Sequence, residues 1–164
     1  RKSQGLILED TIENNIVLPH LEQIENRLGL LDFQKKRKIA EEIGQQMCLQ
    51  PLDVKMIARN LSGGNQQKVV LGKWLTANPD IILLDEPTRG IDIGAKVEIY
   101  RLITQMAESG KSILVFSSEM EELLSICDRI LVLCKGNVVG EKAAQDATTE
   151  NLLTLALGAE NHES

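Results

Sequence analysis

The stretch "IILLDEPTRGID", residues 81–92, decides the fold, because four apolar residues lead directly into two consecutive carboxylates. Short, unbroken runs of β-branched and leucine residues are typical of strands buried on both faces of a parallel sheet. A strand that ends at Asp85 and Glu86 would place both acids at the carboxyl edge of the sheet, where α/β folds bind ligands. Taken alone, the acidic pair would more often be a strand end that leads into a polar turn.

Two similar runs follow, "SILVFS" at 112–117 and "RILVLC" at 129–134. Helical patterns separate the three runs, and "EMEELLSIC" at 119–127 predicts the shorter of the two helices. The longer helix is predicted to have one apolar face, made of Ile99, Leu102, Ile103 and Met106. Strands that alternate with helices predict right-handed βαβ crossovers and the α/β class. "GNVVGE" at 136–141 predicts a closing hairpin, and "TTENLLTLAL" at 148–157 predicts a terminal helix.

The first half of the chain has a different pattern of apolar and polar residues. "RKSQGLILEDTIENNIVLP", residues 1–19, predicts a loop or edge segment and then a short amphipathic helix. From His20 to Ala58 the pattern is helical. Apolar residues recur there at every fourth position, as Ile39, Ile43 and Met47. We therefore divide the chain into a leading segment (1–19), a helical subdomain (20–78) and the C-terminal part of an α/β subdomain (79–164).

Composition argues against several classes of function. The 164 residues carry a net charge of −6, which argues against a nucleic-acid partner held through phosphate contacts. Aromatic residues, at 2%, are too few for base-stacking platforms. The apolar runs are too short to cross a bilayer, and no secretory leader is expected. Cys48, Cys127 and Cys134 lack metal-binding or redox spacing, so we expect free, buried thiols.

A second stretch, "NLSGGNQQKVV" at 60–70, leads from a serine and two glycines into a polar run that turns apolar at helical spacing. Adjacent glycines destabilise a helix, so we expect them to lie before it, where bare backbone can approach a ligand closely. Val70, Trp74 and Leu75 are predicted to anchor the helix in the core. By itself "SGG" is weak evidence for a site, because turns use these residues constantly.

The ordered combination is specific. "LSGGNQQ", then "IILLDEPT", then "GID", then a strand ending in "SSE" resembles the ATP-binding cassette (ABC) family of nucleotide-binding domains over nearly the whole chain. The sequence of these motifs is most similar to that of the second cassette of the double-cassette ATPases that power bacterial monosaccharide importers. The resemblance implies a partial P-loop NTPase-type parallel sheet with helices on both faces, plus an inserted helical subdomain. It also implies ATP and Mg²⁺ as cofactors.

In this family the signature loop binds the γ-phosphate of a nucleotide held mainly by the opposing cassette. Exposed N–H groups of two glycines, a serine hydroxyl and the positive end of the following helix all suit an anion. The resemblance also implies that the D-loop aspartate reaches across the dimer, and its alternative role is a helix N-terminal cap. The nucleotide-binding residues implied in this way are Leu61, Ser62, Gly63, Gly64, Asn65, Gln66 and Asp92. Asn65 departs from the glutamine that usually ends the signature.

The candidate catalytic residues lie at the ends of two predicted strands. Asp85 would face a magnesium ion, directly or through water, and Glu86 would orient and deprotonate an attacking water. The family's switch histidine would fall where this chain has Ser118. A serine can donate one hydrogen bond to phosphate or water but carries no positive charge. That departure weakens the expectation that this cassette hydrolyses ATP at its own site.

A phosphate-binding P-loop requires G-x-x-x-x-G-K-[ST] between a strand and a helix. "SGKS" at 109–112 does not satisfy it, because Gln105 stands where the first glycine is needed and the stretch runs from helix into strand. A glycine helix stop is the better interpretation. The resemblance places the P-loop and the glutamine loop upstream of Arg1. It thereby implies that the 164-residue chain alone would neither bind nor hydrolyse ATP.

The implied partners are a second cassette, transmembrane permease subunits docked on residues 20–78 and, indirectly, a periplasmic sugar-binding protein. The implied location is the cytoplasmic face of the inner membrane. Two alternatives stay open: a truncated, non-catalytic cassette that acts as a dimerisation or regulatory module, and a DNA-repair or ribosome-associated ABC ATPase. The second alternative is disfavoured, since the chain has neither heptad arms nor basic tracks.

Overall fold

The computed structural model describes residues 5–26 and 29–158. The chain forms two compact units. The helical unit comprises Arg1–Ile82 and Thr88–Ser112, and the hairpin unit comprises Leu83–Pro87 and Ile113–Ser164. Each unit is built from elements that the sequence marks clearly at their starts.

Four α-helices make up the described part of the helical unit, and the residue before each helix caps it with its side chain. The helices are α1 (Ile12–Val17), α2 (Phe33–Gln46), α3 (Gly63–Leu75) and α4 (Ile93–Glu108). Their N-caps are Thr11, Asp32, Ser62 and Asp92. In each case a side-chain oxygen accepts a backbone N–H of the first turn, which has no partner within the helix. Short 3₁₀ segments lie at Leu18–Ile24 and Ala58–Asn60.

The core of the helical unit is aliphatic, as the composition predicts. Its most deeply buried apolar side chains include Ile12, Ile16, Ala40, Met47, Val69 and Ile99. Helix α1 packs against α2 and α3, and α3 packs against α4. The predicted apolar face of α4 is confirmed, since all four of its residues are buried.

The prediction of one helical stretch from His20 to Ala58 is wrong. Among the described residues of that range, only α2 forms a regular α-helix, and a bridge between Glu25 and Leu31 lies before it. The side chain of Asn26 accepts the backbone N–H of Leu30 at 3.0 Å, which closes this turn. The hydrogen bond from Leu30 N–H to the Asn26 side chain and the bridge between Glu25 and Leu31 therefore determine the local structure, although the flanking residues have helical periodicity.

Strand β1 (Ile81–Asp85) neighbours β2 (Ser112–Phe116). Ser112 N–H donates to Asp80 O at 2.9 Å, and Glu86 N–H donates to Phe116 O at 2.8 Å. Residue numbers thus rise together along both strands, so the pair is parallel, and α4 connects them in sequence. The predicted βαβ order and strand positions are confirmed for this pair.

Burial along β1 alternates, which corrects the expectation of a strand buried on both faces. Ile82 and Leu84 are each 8% exposed, whereas Ile81 and Leu83 are each 66% exposed. Alternating side chains point to opposite faces of a strand. One face of β1 is therefore covered and the other is open within the described part of the chain.

The hairpin unit contains α5 (Met120–Ile126), β3 (Arg129–Cys134), β4 (Asn137–Ala143), a 3₁₀ turn and α6 (Thr149–Leu157). Strands β3 and β4 pair antiparallel around Lys135 and Gly136. Both turn residues have positive φ, 49° and 83°, which matches the tight two-residue turn of a hairpin. The predicted terminal helix is confirmed. The expectation of a hairpin within residues 136–141 is corrected, because these residues supply the end of the turn and part of β4, and β3 is the other strand of the hairpin. Of the two crossovers implied by the alternation, only the first forms in the described residues, because β3 pairs with β4 in a separate sheet.

A small apolar core holds α6 on this hairpin. It consists of Ile130, Val132, Leu152 and Leu155. A Cβ at Gly140 would lie 2.9 Å from a methyl carbon of Leu155, so the absence of a side chain there lets the helix lie close to the strand.

Three further expectations need correction. Trp74 is 54% exposed and does not anchor α3, whose buried apolar side chains are Val69 and Leu71. Cys48 is exposed, and Cys127 and Cys134 are only half-buried, although all three thiols are free as expected. The buried face of α3 also contains Gln66, Lys68 and Lys73, although the sequence predicts a run that turns apolar at helical spacing.

Candidate nucleotide-binding segments

The signature glycines lie inside the first turn of α3, which corrects the prediction that they precede the helix. The helix begins at Gly63, and Ser62 is its N-cap. The Ser62 hydroxyl oxygen accepts the backbone N–H of Asn65 at 3.4 Å, and the Ser62 side chain is exposed. The start of this 13-residue helix carries the positive end of the helix dipole, which favours an anion.

Gly64 has a packing role that the sequence did not reveal. It is buried, and a Cβ placed on it would lie 2.5 Å from the Cβ of Ala95 on α4. Real Cβ atoms do not approach so closely, and the neighbouring atom belongs to a short, stiff side chain. Gly64 is therefore required for the close approach of α3 to α4, independently of any ligand.

Two amide side chains hold the signature segment from within. The Asn65 amide bonds both backbone groups of Gln50, with Oδ1 accepting Gln50 N–H at 3.2 Å and Nδ2 donating to Gln50 O at 2.8 Å. The same Nδ2 lies 3.1 Å from the Ser62 hydroxyl oxygen. Gln66 is buried, and its Nε2 donates to Leu61 O at 3.1 Å. Both side chains therefore brace the backbone at the start of α3.

Lys68 is a buried cation that sequence reasoning missed. Its side chain is 4% exposed, and its Nζ lies 2.8 Å from Glu98 Oε2 on α4 and 2.8 Å from the carbonyl oxygen of Cys48. Together with the Gly64–Ala95 contact, this ion pair fixes α3 against α4 near the starts of both helices. Lys68 stands directly before the apolar residues Val69, Val70 and Leu71, which is the sequence signal that could have indicated its burial.

One turn further along α3, Lys73 is also buried, and burial lowers the pKa of its ammonium group below its ordinary value. Its Nζ donates to Gly5 O at 3.3 Å and lies 5.3 Å from the centre of the Trp74 ring. The hydrogen bond to Gly5 links α3 to the first described residue of the chain.

Asp92 caps α4, as the more conservative interpretation predicts. Its Oδ1 accepts the backbone N–H of Ala95 at 2.9 Å, and its side chain is exposed. A reach from Asp92 across a dimer stays a prediction.

In the hairpin unit, the structure brings Glu86 and Ser118 together. Strand β1 ends at Asp85, and Glu86 follows with a φ of 47°, in the left-handed region that is strained for a residue with a side chain. Glu86 Oε1 accepts the backbone N–H of Ser118 at 3.0 Å, while Glu86 N–H donates to Phe116 O at 2.8 Å. Strained backbone of this kind concentrates at functional sites, and here bonds on both sides of the residue hold it in place.

Asp85, immediately before Glu86, is exposed at the carboxyl end of β1. Mg²⁺ binds through one or two carboxylates, with substrate phosphates and waters completing its shell, so a single exposed carboxylate fits that ion. The described residues contain no group of three or more His, Cys, Asp or Glu side chains arranged for a metal. A site in which protein supplies most of the ligands is therefore not formed by the described side chains.

The remaining sequence candidates lie elsewhere. Gly110 has a φ of 92° just after α4, which confirms that "SGKS" is a helix stop. His20 lies in a 3₁₀ segment of the helical unit, and His162 lies outside the described residues.

Comparison with known proteins identifies the family. The model of the family described as ABC transporter matches residues 2–89, more than half of the chain. The chain therefore belongs to the ABC transporter ATP-binding family. It is 50% identical over 157 residues to a putative ribose/galactose/methyl galactoside import ATP-binding protein of Rhizobium meliloti, covering 96% of this chain and 31% of the relative. It is 48% identical over 155 residues to an L-arabinose transport ATP-binding protein of Geobacillus stearothermophilus, covering 94% and 30%.

Solved structures agree with this assignment. A dimeric ATP-binding cassette in a post-hydrolysis state, bound to ADP and Pi, superposes with a TM-score of 0.71 at 30% identity, covering 86% of this chain and 60% of that one. An ATP-binding cassette of an ABC transporter in its ADP conformation gives 0.75 at 21% identity and supports the fold alone. The P-loop NTPase-type α/β class is thereby confirmed. The chain spans about a third of the length of the curated relatives it matches, and none of its described helices is long and apolar enough to span a bilayer.

Proposed function

We propose that these residues belong to the ATP-binding subunit of a monosaccharide importer, which couples ATP hydrolysis to sugar uptake. The observation that carries this proposal is the 50% identity over 157 residues to a protein named for ribose, galactose and methyl galactoside import. The arabinose transport relative, at 48% identity, supports the same substrate class. Both relatives are named for pentoses or hexoses, so the cargo proposed for this protein is a monosaccharide.

The signature segment, Leu61 to Gln66, is proposed to bind the terminal phosphate of ATP held by a second cassette. The exposed Ser62 hydroxyl and the positive end of the α3 dipole support this role. Asp92 is proposed to approach the opposing cassette as well. Its exposed position and its cap bond to Ala95 are compatible with both tasks.

The hydrolytic step is proposed to use Glu86 as general base. Because Oε1 already accepts the Ser118 N–H, Oε2 is the oxygen left to take a proton from the attacking water. Asp85 would hold Mg²⁺, which when bound neutralises charge on the phosphates. The Ser118 hydroxyl is proposed to donate a hydrogen bond to phosphate or to the water. It would take the place of the histidine that is usual in the family, without its positive charge.

The partners proposed are a second cassette, permease subunits in the membrane and a sugar-binding protein that delivers cargo to the permease. The dimeric state of the structural neighbour with ADP and Pi supports the second cassette. This arrangement would place the subunit at the cytoplasmic surface of the membrane.

The test is uptake of labelled ribose, galactose or arabinose into proteoliposomes that contain the full-length protein and its permease, with ATP inside and the sugar-binding protein outside. We expect ATP-dependent uptake of at least one of these sugars. Replacing Ser62 with Arg should strongly reduce both uptake and phosphate release, because the longer side chain would occupy the anion position. Wild-type turnover in the Ser62→Arg protein would contradict the signature role, and ATP hydrolysis unaffected by any sugar would contradict the importer.

A further inference from the structure

The Asn65 side chain is fully occupied by this chain's own groups. Its amide meets the backbone N–H and C=O of Gln50 and the hydroxyl oxygen of Ser62, at 3.2, 2.8 and 3.1 Å. Gln50 lies 15 residues earlier in the sequence, in the irregular stretch after α2. Asn65 thus ties the start of the signature helix to a separate segment of backbone.

The orientation of this amide is determined by its partners. A backbone N–H can only donate and a backbone C=O can only accept, so Oδ1 must face the Gln50 N–H and Nδ2 must face the Gln50 carbonyl. Nδ2 carries two hydrogens, and the second is directed toward the Ser62 hydroxyl oxygen. Asn65 therefore presents a donor, and never an acceptor, to Ser62.

Two donors from Asn65 converge on the same hydroxyl oxygen. The backbone N–H of Asn65 lies 3.4 Å from Ser62 Oγ, and the side-chain Nδ2 lies 3.1 Å from it. A serine hydroxyl has two acceptor lone pairs and one hydrogen. With both lone pairs engaged, the hydrogen is left to point away from Asn65, and Ser62 is exposed at the helix start.

We propose that Asn65 is a positioning residue that presets the Ser62 hydroxyl as a hydrogen-bond donor toward an anionic, acceptor-only ligand. This inference rests on the proposed function, in which the ligand is the terminal phosphate of ATP held by the opposing cassette. Asn65 then contributes to nucleotide binding through Ser62 and without touching phosphate itself. A water molecule or a hydroxyl, which can also donate, gains less from a hydroxyl fixed in this way than a phosphate oxygen does.

The experiment is a double-mutant cycle on the full-length protein assembled with its permease. Steady-state ATP hydrolysis is measured for Ser62→Ala, Asn65→Ala and the double variant, together with the apparent unfolding temperature of each. Asn65→Ser serves as a second variant, since serine suits the first turn of a helix but cannot reach Gln50 and Ser62 at once. Gln50→Ala is the matched control, because Asn65 bonds only the backbone of Gln50.

We expect Ser62→Ala and Asn65→Ala each to lower kcat/KM for ATP by about tenfold, and the double variant to match Ser62→Ala alone. Gln50→Ala should retain the wild-type value. A double variant whose loss is the product of the two single losses would overturn the inference, as would an Asn65→Ala or Asn65→Ser protein with wild-type kinetics beside an impaired Ser62→Ala. Wild-type kinetics in Ser62→Ala would instead count against the proposed function of the signature segment.

Discussion

Glu86 and Ser118 are joined by a hydrogen bond from the Ser118 backbone N–H to Glu86 Oε1, at 3.0 Å. The donor is the main chain, so the contact does not depend on which side chain stands at position 118. Glu86 is bound a second time through its own N–H to Phe116 O. The end of β2 therefore fixes both the backbone and the carboxylate of Glu86, in spite of its strained φ of 47°.

Replacing Glu86 with Gln separates chemistry from structure. The amide oxygen of glutamine can still accept the Ser118 N–H, so we expect the apparent unfolding temperature to stay close to that of the wild type. An amide cannot take a proton from water, and ATP hydrolysis by the full-length protein should fall about a hundredfold or more. Phosphate release is the measurement, with Glu121→Gln, an exposed acid of α5, as the control. A rate that survives Glu86→Gln would remove Glu86 from the mechanism.

Ser118→Ala tests the hydroxyl alone, because alanine keeps the N–H that Glu86 accepts. We expect unchanged stability and a fall in hydrolysis of about fivefold, the value of one ordinary hydrogen bond. Ser118→Ala and Glu86→Gln can be compared in a single phosphate-release assay. No change in rate would mean that only the main chain of Ser118 contributes.

Gly64 is expected to tolerate no side chain while Ala95 faces it. A Cβ at Gly64 would lie 2.5 Å from the Ala95 Cβ, and overpacking of this kind costs about 1–3 kcal/mol. Gly64→Ala should therefore lower the apparent unfolding temperature. Ala95→Gly alone costs about 1 kcal/mol for a glycine in a helix, but it also creates the missing space. The double variant should accordingly lose less free energy of unfolding than the sum of the two single losses. A loss equal to that sum would show that the clash is not the cause.

The Lys68–Glu98 pair should be asymmetric toward mutation. Lys68 has a side chain 4% exposed, whereas that of Glu98 is 58% exposed, so removing the carboxylate leaves a buried ammonium with a neutral carbonyl as its remaining partner. We expect Glu98→Gln to destabilise the protein by about 1 kcal/mol, and Lys68→Met to be less costly because it removes the buried charge.

Glu41→Gln is the control for that comparison. Glu41 pairs with Arg37 at 2.9 Å, a separation close to that of Lys68 and Glu98, but on an exposed surface. A surface pair of this kind contributes about 0.5 kcal/mol or less. Denaturant unfolding curves of the three variants give the comparison. Equal effects of Glu98→Gln and Glu41→Gln would show that the burial of Lys68 has no energetic consequence.

Local patterns account for what the sequence predicted well. The strands β1, β2 and β3 are runs of apolar residues bounded by polar ones, and the buried face of α4 repeats at helical spacing. The caps at Ser62 and Asp92 are residues with a strong preference for that position. Each of these features depends on neighbours within a few positions along the chain, so the residues themselves determine them.

Contacts between distant residues account for what could not be predicted. The amide of Asn65 meets Gln50 across 15 residues, and Gly64 is selected by a side chain on another helix. The strain at Glu86 is set by bonds from the end of β2. Motif spacing indicates which residues matter at such places, but only the packed structure reveals whether a residue faces a ligand or supports a neighbour.

Cys48 and Cys127, two of the free cysteines, should differ in their reactivity toward iodoacetamide. Cys48 is exposed, while burial, together with the nearby charges of Asp128 and Glu122, raises the pKa of the Cys127 thiol above its ordinary value. Thiolate is the reactive form, so Cys127 should be labelled more slowly than Cys48 at about pH 7–8. Because the fold penalises the thiolate, the contribution of Cys127 to stability is fully present below the unfolded-state pKa and is lost as pH rises through the higher folded-state pKa. Peptide mass spectrometry of protein labelled at a series of pH values measures both rates. Asp128→Asn removes one of the two nearby charges, so it should move the Cys127 profile to lower pH. A Cys127 labelling rate equal to that of Cys48 at neutral pH, or a Cys127 profile unchanged by Asp128→Asn, would contradict this account of its surroundings.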